Sequence, residues 1–279
     1  MAGTPAALVA DHATNAASRI RIDILGAVRA WSDAGELPLG PPQQRSVLLL
    51  LAIAGGQPVP LWTIAEALWG NRPPPSAVNV VQTYVKRLRR VLEPYRLPRS
   101  PGHTLRRVDS GYALDAGADA VDLWRFRRLV HQAREERRAG RADRVVALLT
   151  VALELWRGPP GAALPALAEH HSVRAAAEEH ATAVGSLAEA AVMAGTVEAL
   201  PVIAHAAVGR PFDELLHAHL IRLYLQAGRR HDAVRTYRSC YRRLQDELGL
   251  DPGPQLTDAY QEVLASLPAP PGASRPYRR

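Results

Sequence analysis

The sequence contains little cysteine, no long apolar run and no export signal, and each absence removes a class of protein. A single cysteine, Cys240, rules out an internal disulfide and favours a reducing compartment. The strongest apolar run, residues 47–54, is shorter than the ~20 residues that a membrane-spanning helix needs. Residues 1–19 carry no basic segment ahead of an apolar one, so they do not resemble a signal peptide. We therefore expect a cytoplasmic protein without a membrane segment.

Motifs for catalysis and metal binding are also missing. The chain has no GxxxxGK[ST] motif, which predicts that no nucleotide is held by a P-loop. Neither of the close histidine pairs, His170 with His171 and His217 with His219, has the i,i+4 spacing of a zinc-binding helix. Cys240 lies in a helical run, where a packed side chain is more typical than a nucleophile. We expect no metal and no cofactor, and an enzyme is the weaker alternative because no acid–base constellation is visible.

Positive charge is present in excess and is unevenly distributed. The net charge is +7 and the sequence pI is about 10.0. Between residues 72 and 107 there are nine cations and one acid, Glu93. The cations are Arg72, Lys86, Arg87, Arg89, Arg90, Arg96, Arg99, Arg106 and Arg107. A solvated basic surface is the ordinary explanation of such a run, but its position beside a candidate recognition helix favours a site for a polyanion.

The first part of the chain has the pattern of a winged helix-turn-helix domain over residues 19–116. Alternation of isoleucine with polar residues at 20–24 predicts a strand, and we expect a small antiparallel sheet over residues 19–39. Three helices follow: one between Gly40-Pro41-Pro42 and Gly55-Gly56, one over 61–69, and a longer cationic one after the prolines at 73–75. Two short strands, 105–108 and 112–114, flank the turn sequence Asp109-Ser110-Gly111 and form the wing.

From residue 121 the composition changes to that of helices, with Ala, Leu, Glu and Arg dominant. Glycines occupy predicted turns at Gly140, Gly195 and Gly228, and the segments GRADRVVALLTVAL and GRRHDAVRTYRSCY are alike. This pattern predicts an all-α, tetratricopeptide-like helical repeat domain over 121–267. Pro201 predicts a helix that begins late or is kinked. We expect disordered tails at 1–18 and 268–279, and a fold that is mainly α with a small β component.

The segment SAVNVVQTYVKRLRRVLEP, residues 76–94, predicts an amphipathic helix with an unusual polar side. At ~3.6 residues per turn its apolar residues share one sector: Val78, Val81, Val85, Leu88 and Leu92. The opposite side collects Ser76, Asn79, Val80, Thr83, Lys86, Arg87 and Arg90, with Gln82 and Arg89 on its flanks. Amides and guanidinium groups can pair with base edges, and cations and hydroxyls can hold phosphates. An ordinary surface helix is the alternative, but it usually mixes charges of both signs.

Several segments resemble known families. VVQTYVKRLRRVLEP and the later SGYAL resemble the third helix and wing of OmpR-type winged-helix domains. VDLWRFRRLV, LELWRGPPGAALP and the stretch from GRPFDELL to LGLDPGPQL resemble the bacterial transcriptional activator domain. In this order, over residues 19–267, they resemble the small Streptomyces antibiotic regulatory proteins.

The resemblance implies a transcriptional activator, specific to a secondary-metabolite (antibiotic) gene cluster and associated with the nucleoid. It further implies binding to direct repeats in double-stranded promoter DNA and recruitment of RNA polymerase holoenzyme through its sigma factor. For the helical repeat domain two roles are open, self-association, which would give a homodimer on DNA, and sensing of a signal. The open alternative is a helical-repeat adaptor whose winged helix binds protein. A salt titration separates the two, because phosphate binding weakens steeply as salt rises.

The resemblance and the helical wheel together give a set of candidate site residues. By resemblance, Gln82, Thr83 and Arg87 read bases, and the wheel adds Asn79. Phosphates or the minor groove are assigned to Ser76, Tyr84, Lys86, Arg89, Arg90, Arg106 and Arg107. The connection Asn71, Arg72, Pro73 and Pro74 faces polymerase in this family, although a rigid linker that only sets the helix spacing explains it equally well.

Overall fold

The structure is a computed structural model that describes residues 20–94 and 102–266. The two tails predicted to be disordered lie outside these residues, as do Arg96 and Arg99 of the basic run. The chain divides into two compact units. Unit 1 consists of Met1–Arg128 with Glu154–Glu178, and unit 2 of Leu129–Leu153 with Glu179–Arg279.

Unit 1 begins with a small antiparallel sheet, which confirms the prediction for this region. Its strands are β1 (Arg21–Asp23), β2 (Arg29–Ser32) and β3 (Gly35–Glu36), in the order β1-β2-β3. Ile22 of β1 pairs with Ala30 of β2, and both side chains are fully buried. The predicted alternation therefore places one side of the sheet in the core.

Three helices follow, with bounds close to those that the sequence predicts. They are α1 (Pro42–Ile53), α2 (Leu61–Trp69) and α3 (Ala77–Leu92). Proline suits the start of α1 because the first helical N–H groups have no partner inside the helix. After α1 the chain turns through Gly55 and Gly56, whose φ angles of 65° and 86° favour glycine.

The wing is a three-stranded sheet, one strand more than the sequence predicts. The hairpin of β5 (Leu105–Val108) and β6 (Gly111–Leu114) is as expected, and the additional strand β4 (Val59–Pro60) pairs with β6. The order is β4-β6-β5. A Cβ atom at Gly111 would collide with the carbonyl group of Val59, so only glycine allows β4 to approach this closely.

Residues beyond the wing complete unit 1. The buried carboxylate of Asp122 accepts hydrogen bonds from the backbone N–H groups of Ile24 (2.9 Å) and Leu25 (3.0 Å). The Arg157 guanidinium donates to the same carboxylate at 2.7 Å and also pairs with Asp23 at 3.0 Å. Burial raises the pKa of Asp122, because water no longer solvates its charged form. These bonds attach the first strand of the chain to residues that follow the wing.

From residue 121 the described chain is helical, which confirms the mainly α class. The helices are α4 (Asp122–Arg138), α5 (Ala142–Glu154), α6 (His171–Ala194), α7 (Leu200–Val208), α8 (Glu214–Gln226), α9 (Arg230–Arg243) and α10 (Pro254–Ala265). A 3-10 turn spans Pro165–Leu167 and a π turn spans Leu244–Leu248. Gly140, Gly195 and Gly228 lie between helices, with φ angles of 70°, 67° and 71°. Pro201 lies in the first turn of α7, so that helix begins late, as predicted.

The last three helices of unit 2 pack around an aromatic stack. The rings of Tyr237 in α9 and Tyr260 in α10 are parallel within 3°, and their centroids lie 3.9 Å apart. Cys240 is buried beside them, as the packed side chain that the sequence predicts, and burial raises the pKa of its thiol to about 11. Within residues 20–94 and 102–266, no helix is both long and apolar enough to cross a membrane.

Candidate nucleic-acid interface

The apolar side of α3 fixes the helix in unit 1. Val81, Val85, Leu88 and Leu92 are fully buried, as predicted. The prediction for Val78 is wrong, because this side chain is 43% exposed and Ala77 is buried instead. Val78 lies at the edge of the apolar sector in the first turn, and the buried side of that turn is set by Ala77 and Val81, four residues apart.

The opposite side of α3 faces solvent and carries no carboxylate. Its exposed residues are Ser76, Asn79, Thr83, Lys86, Arg87 and Arg90. The half-buried residues Gln82, Tyr84 and Arg89 lie on its flanks, between this side and the buried one. The Thr83 hydroxyl donates to the Asn79 carbonyl at 2.8 Å, which leaves its oxygen lone pairs for a donor outside the helix. Amide, hydroxyl and guanidinium groups thus share one accessible surface, which we call the α3 polar face.

Arg89 makes an internal bond that the sequence did not predict. Its Nε and Nη2 atoms both donate to the Leu105 carbonyl oxygen, at 2.9 and 2.6 Å, and its guanidinium carbon lies 5.3 Å from the ring centroid of Tyr112. A side chain at Gly102 would collide with this guanidinium. Arg89 therefore ties α3 to the wing. A phosphate contact by its remaining N–H groups stays a prediction.

Glu93, the lone acid of the basic region, also serves the wing. It follows α3 directly, and its Oε1 atom accepts a hydrogen bond from the Thr104 backbone N–H at 2.5 Å. The carboxylate therefore lies beyond the α3 polar face and leaves the positive charge of that face unopposed. One feature of the sequence indicates this role, the position of a single acid at the end of a cationic helix.

The wing presents two arginines in different surroundings. Arg106 pairs through Nε with Asp115 at 2.8 Å. Arg107 is exposed, and its guanidinium carbon lies 5.9 Å from the Tyr112 ring centroid. Arg107 is thus the more available of the two for a phosphate, although both assignments remain predictions.

The connection between α2 and α3 is accessible. Asn71, Arg72 and Pro73 are exposed, and Pro74 is half-buried. The Pro74 carbonyl oxygen accepts a hydrogen bond from the Ala77 N–H at 2.9 Å, which helps to start α3. The segment is therefore able both to set the helix spacing and to present a surface.

The described residues offer little for metal binding. Within 20–94 and 102–266, no three or more histidine, cysteine or acidic side chains lie close enough together to hold a metal ion. The rings of His170 and His171 are tilted by 35° with centroids 4.3 Å apart, and burial together with the neighbouring His171 lowers the pKa of His170.

Comparison with protein families matches both parts of the chain. Residues 36–114 match the family described as "Transcriptional regulatory protein, C terminal", the OmpR-type domain. Residues 121–264 match the "Bacterial transcriptional activator domain", which by itself covers more than half of the chain.

Relatives and a solved structure agree with these matches. Regulatory protein AfsR of Streptomyces coelicolor is 34% identical over 253 residues, which are 90% of this chain but 25% of AfsR. Transcriptional regulator RedD of the same species is 34% identical over 258 residues, 89% of this chain and 71% of RedD. The structure of Mycobacterium tuberculosis EmbR in complex with a low affinity phosphopeptide superposes with a TM-score of 0.76 at 30% identity, over 90% of this chain and 66% of that one. The chain thus spans about a quarter of AfsR and under three quarters of RedD, and with its OmpR-type and activator domains it belongs to the family of Streptomyces antibiotic regulatory proteins.

Proposed function

We propose that this protein is a sequence-specific DNA-binding transcriptional activator of a secondary-metabolite gene cluster. The observation that carries the proposal is the α3 polar face, where Asn79, Thr83, Lys86, Arg87 and Arg90 are exposed on a helix whose other side is buried. A major groove admits a helix of this kind, and amide and guanidinium groups pair with base edges there.

The proposed roles divide by chemistry. Asn79, Gln82, Thr83 and Arg87 contact base edges, where they discriminate one sequence from another. The phosphate or minor-groove contacts come from Ser76, Tyr84, Lys86, Arg89, Arg90, Arg106 and Arg107. Phosphate contacts set register and contribute affinity without reading the sequence.

Membership of the family supports a proposal for the wider activity. The protein binds direct repeats at a promoter as a homodimer on DNA, within the nucleoid, and recruits RNA polymerase holoenzyme through its sigma factor. The exposure of Asn71, Arg72 and Pro73 supports the connection between α2 and α3 as the polymerase-contacting surface.

The test begins with a footprint on the promoters that flank the gene, followed by salt titrations on the protected duplex and on a random duplex. Arg87→Ala is expected to lose ~1–3 kcal/mol of discrimination between the two, because a bidentate contact to guanine is removed. Arg107→Ala should weaken binding to both duplexes equally. It should also reduce the salt slope, the slope of log affinity against log salt concentration, by ~0.9. Arg174→Ala, an exposed arginine of α6, is the matched control for the loss of one charge.

Two results contradict the proposal in different ways. If Arg87→Ala weakens binding to both duplexes equally, Arg87 contacts a phosphate and does not read a base. Binding of the full chain to no promoter duplex, or with a flat salt dependence, favours the adaptor whose winged helix binds protein.

A further inference from the structure

Helix α9 in unit 2 has one side that is buried and an opposite side that consists of three arginines and one histidine. Ala233 and Cys240 are buried, and Tyr237 on the same side stacks on Tyr260. At 3.6 residues per turn the side opposite to these residues consists of four exposed residues. They are His231, Arg235, Arg238 and Arg242, which we call the α9 arginine face.

The α9 arginine face carries a surplus of positive charge that its neighbours do not neutralise. From residue 229 to 243 there are six arginines and one acid, Asp232. The Asp232 carboxylate is shared by Arg229 at 2.8 Å and Arg235 at 2.6 Å, and its side chain is only 18% accessible. Among the described residues, Arg238 and Arg242 form no ion pair, so their charges face solvent.

Packing fixes the helix that carries these charges. The 3.9 Å Tyr237–Tyr260 stack holds α9 against α10, and the Arg242 Nε atom donates to the Arg238 carbonyl at 3.3 Å. From Arg235 to Arg242 the helix advances about 10.5 Å at 1.5 Å per residue. Along the axis of a DNA duplex, where each nucleotide of one strand rises ~3.4 Å, this length corresponds to about three nucleotides. A row of arginines of this length on a packed helix fits a chain of phosphates.

We propose that the α9 arginine face is a second contact with the DNA backbone, made by the activator domain in addition to the winged helix. This inference rests on the proposed function, because it concerns the same DNA-bound protein. An acidic protein surface is the less suitable partner, since stable protein interfaces have an apolar or aromatic centre and this face has none. Tyr241, 39% exposed and stacked beside Tyr237 at 6.1 Å, lies on the flank of the face.

The covalent link between the activator domain and the DNA-bound winged helix also favours DNA as the partner of the α9 arginine face. A surface that belongs to a chain already bound to DNA meets phosphates at a high effective concentration, so each arginine adds affinity without a separate association step. Phosphate contacts carry no sequence information, so the expected contribution is equal for the operator and for random flanking DNA.

The experiment compares the full chain with the double variant Arg238→Ala/Arg242→Ala on operator and random duplexes that extend ~20 base pairs beyond the footprint, from 50 to 200 mM salt. Loss of two phosphate contacts should reduce the salt slope by ~1.8. From 50 to 200 mM salt, the drop in affinity should therefore be about 12-fold smaller for the variant than for the wild type. Arg134→Ala/Arg144→Ala removes two exposed charges from the same unit and should leave the slope unchanged. Arg238→Lys/Arg242→Lys keeps the charge and should restore the slope.

The outcomes separate this inference from the proposed function. An unchanged slope in Arg238→Ala/Arg242→Ala, while Arg87→Ala still loses operator discrimination, overturns the α9 contact alone. A change in self-association of the free protein by sedimentation, with an unchanged DNA slope, also overturns it and assigns the face to a second copy. Failure of the wild type to bind any duplex overturns both.

Discussion

Arg87 and Arg89 are two residues apart, yet they face different surroundings. Arg87 is exposed on the α3 polar face, whereas two N–H groups of Arg89 donate to the Leu105 carbonyl. A hydrogen bond from a charged group contributes ~1.5–3 kcal/mol, and its loss leaves the Leu105 carbonyl without this donor. We expect Arg89→Ala to lower the free energy of unfolding by ~1–3 kcal/mol in urea titrations followed by tryptophan fluorescence.

The control for that prediction is Arg90→Ala, the exposed neighbour of Arg89. A surface substitution of this kind changes stability by no more than ~0.5 kcal/mol. Equal stability of the two variants would show that the Arg89 bond to the wing contributes nothing to stability, so that phosphate binding would be the one role left for this arginine.

Residue roles were predictable from the sequence where a side chain acts through its own helix. The buried positions Val81, Val85 and Leu88 follow from helical period alone. The roles of Arg89 and Glu93 did not follow, because their partners Leu105 and Thr104 are more than ten residues away on another element. Which side chains actually read bases depends on the partner, so those assignments stay predictions.

At the scale of elements, the wing depends on one close approach between strands. A Cβ atom at Gly111 would meet the Val59 carbonyl, so β4 must shift if any other residue stands there. We expect Gly111→Ala to destabilise the protein by ~1–3 kcal/mol, the usual cost of overpacking, and to weaken binding to all duplexes because Arg107 is carried by the same sheet. Urea titration and duplex binding are the two measurements.

The matched control for this prediction is Gly117→Ala. A Cβ atom there has no other atom within 4 Å, so the stability should be unchanged or higher by ~0.4–1 kcal/mol through the unfolded state. If Gly111→Ala is as stable as Gly117→Ala, the β4–β6 pairing does not hold the wing.

The elements themselves were predictable in unequal degree. The bounds of α2 are those predicted, because an apolar period preceded by proline and followed by glycine is a local signal. Strand β4 was missed, since two residues, Val59 and Pro60, show no alternation and are extended only by pairing with β6, about fifty residues later. Proline is tolerated there because β4 lies at the edge of the sheet.

At the scale of the whole molecule, the open question is where the winged-helix module ends. The sequence placed its boundary near residue 116, at the change of composition, and that boundary stays a prediction. Unit 1 extends further, to residue 128 and again over 154–178. Trp124 donates through Nε1 to the Ala52 carbonyl at 2.7 Å, and Gly161 N–H donates to the Ile24 carbonyl at 3.1 Å. Composition does not reveal such bonds, because they join segments distant in the sequence.

The bonds between the first strand and the residues that follow the wing predict that a fragment of residues 1–118 is incompletely folded. It lacks Asp122, the acceptor for the Ile24 and Leu25 N–H groups, so both amides should exchange with solvent at rates near those of an unfolded chain, whereas in the full chain they should be protected. The amide of Val85, within α3, is the internal control in the same spectra. Full protection of Ile24 and Leu25 in the fragment would contradict the prediction. It would show that the winged helix folds without the residues that follow it, and that the bonds to Asp122 form only after the module is complete.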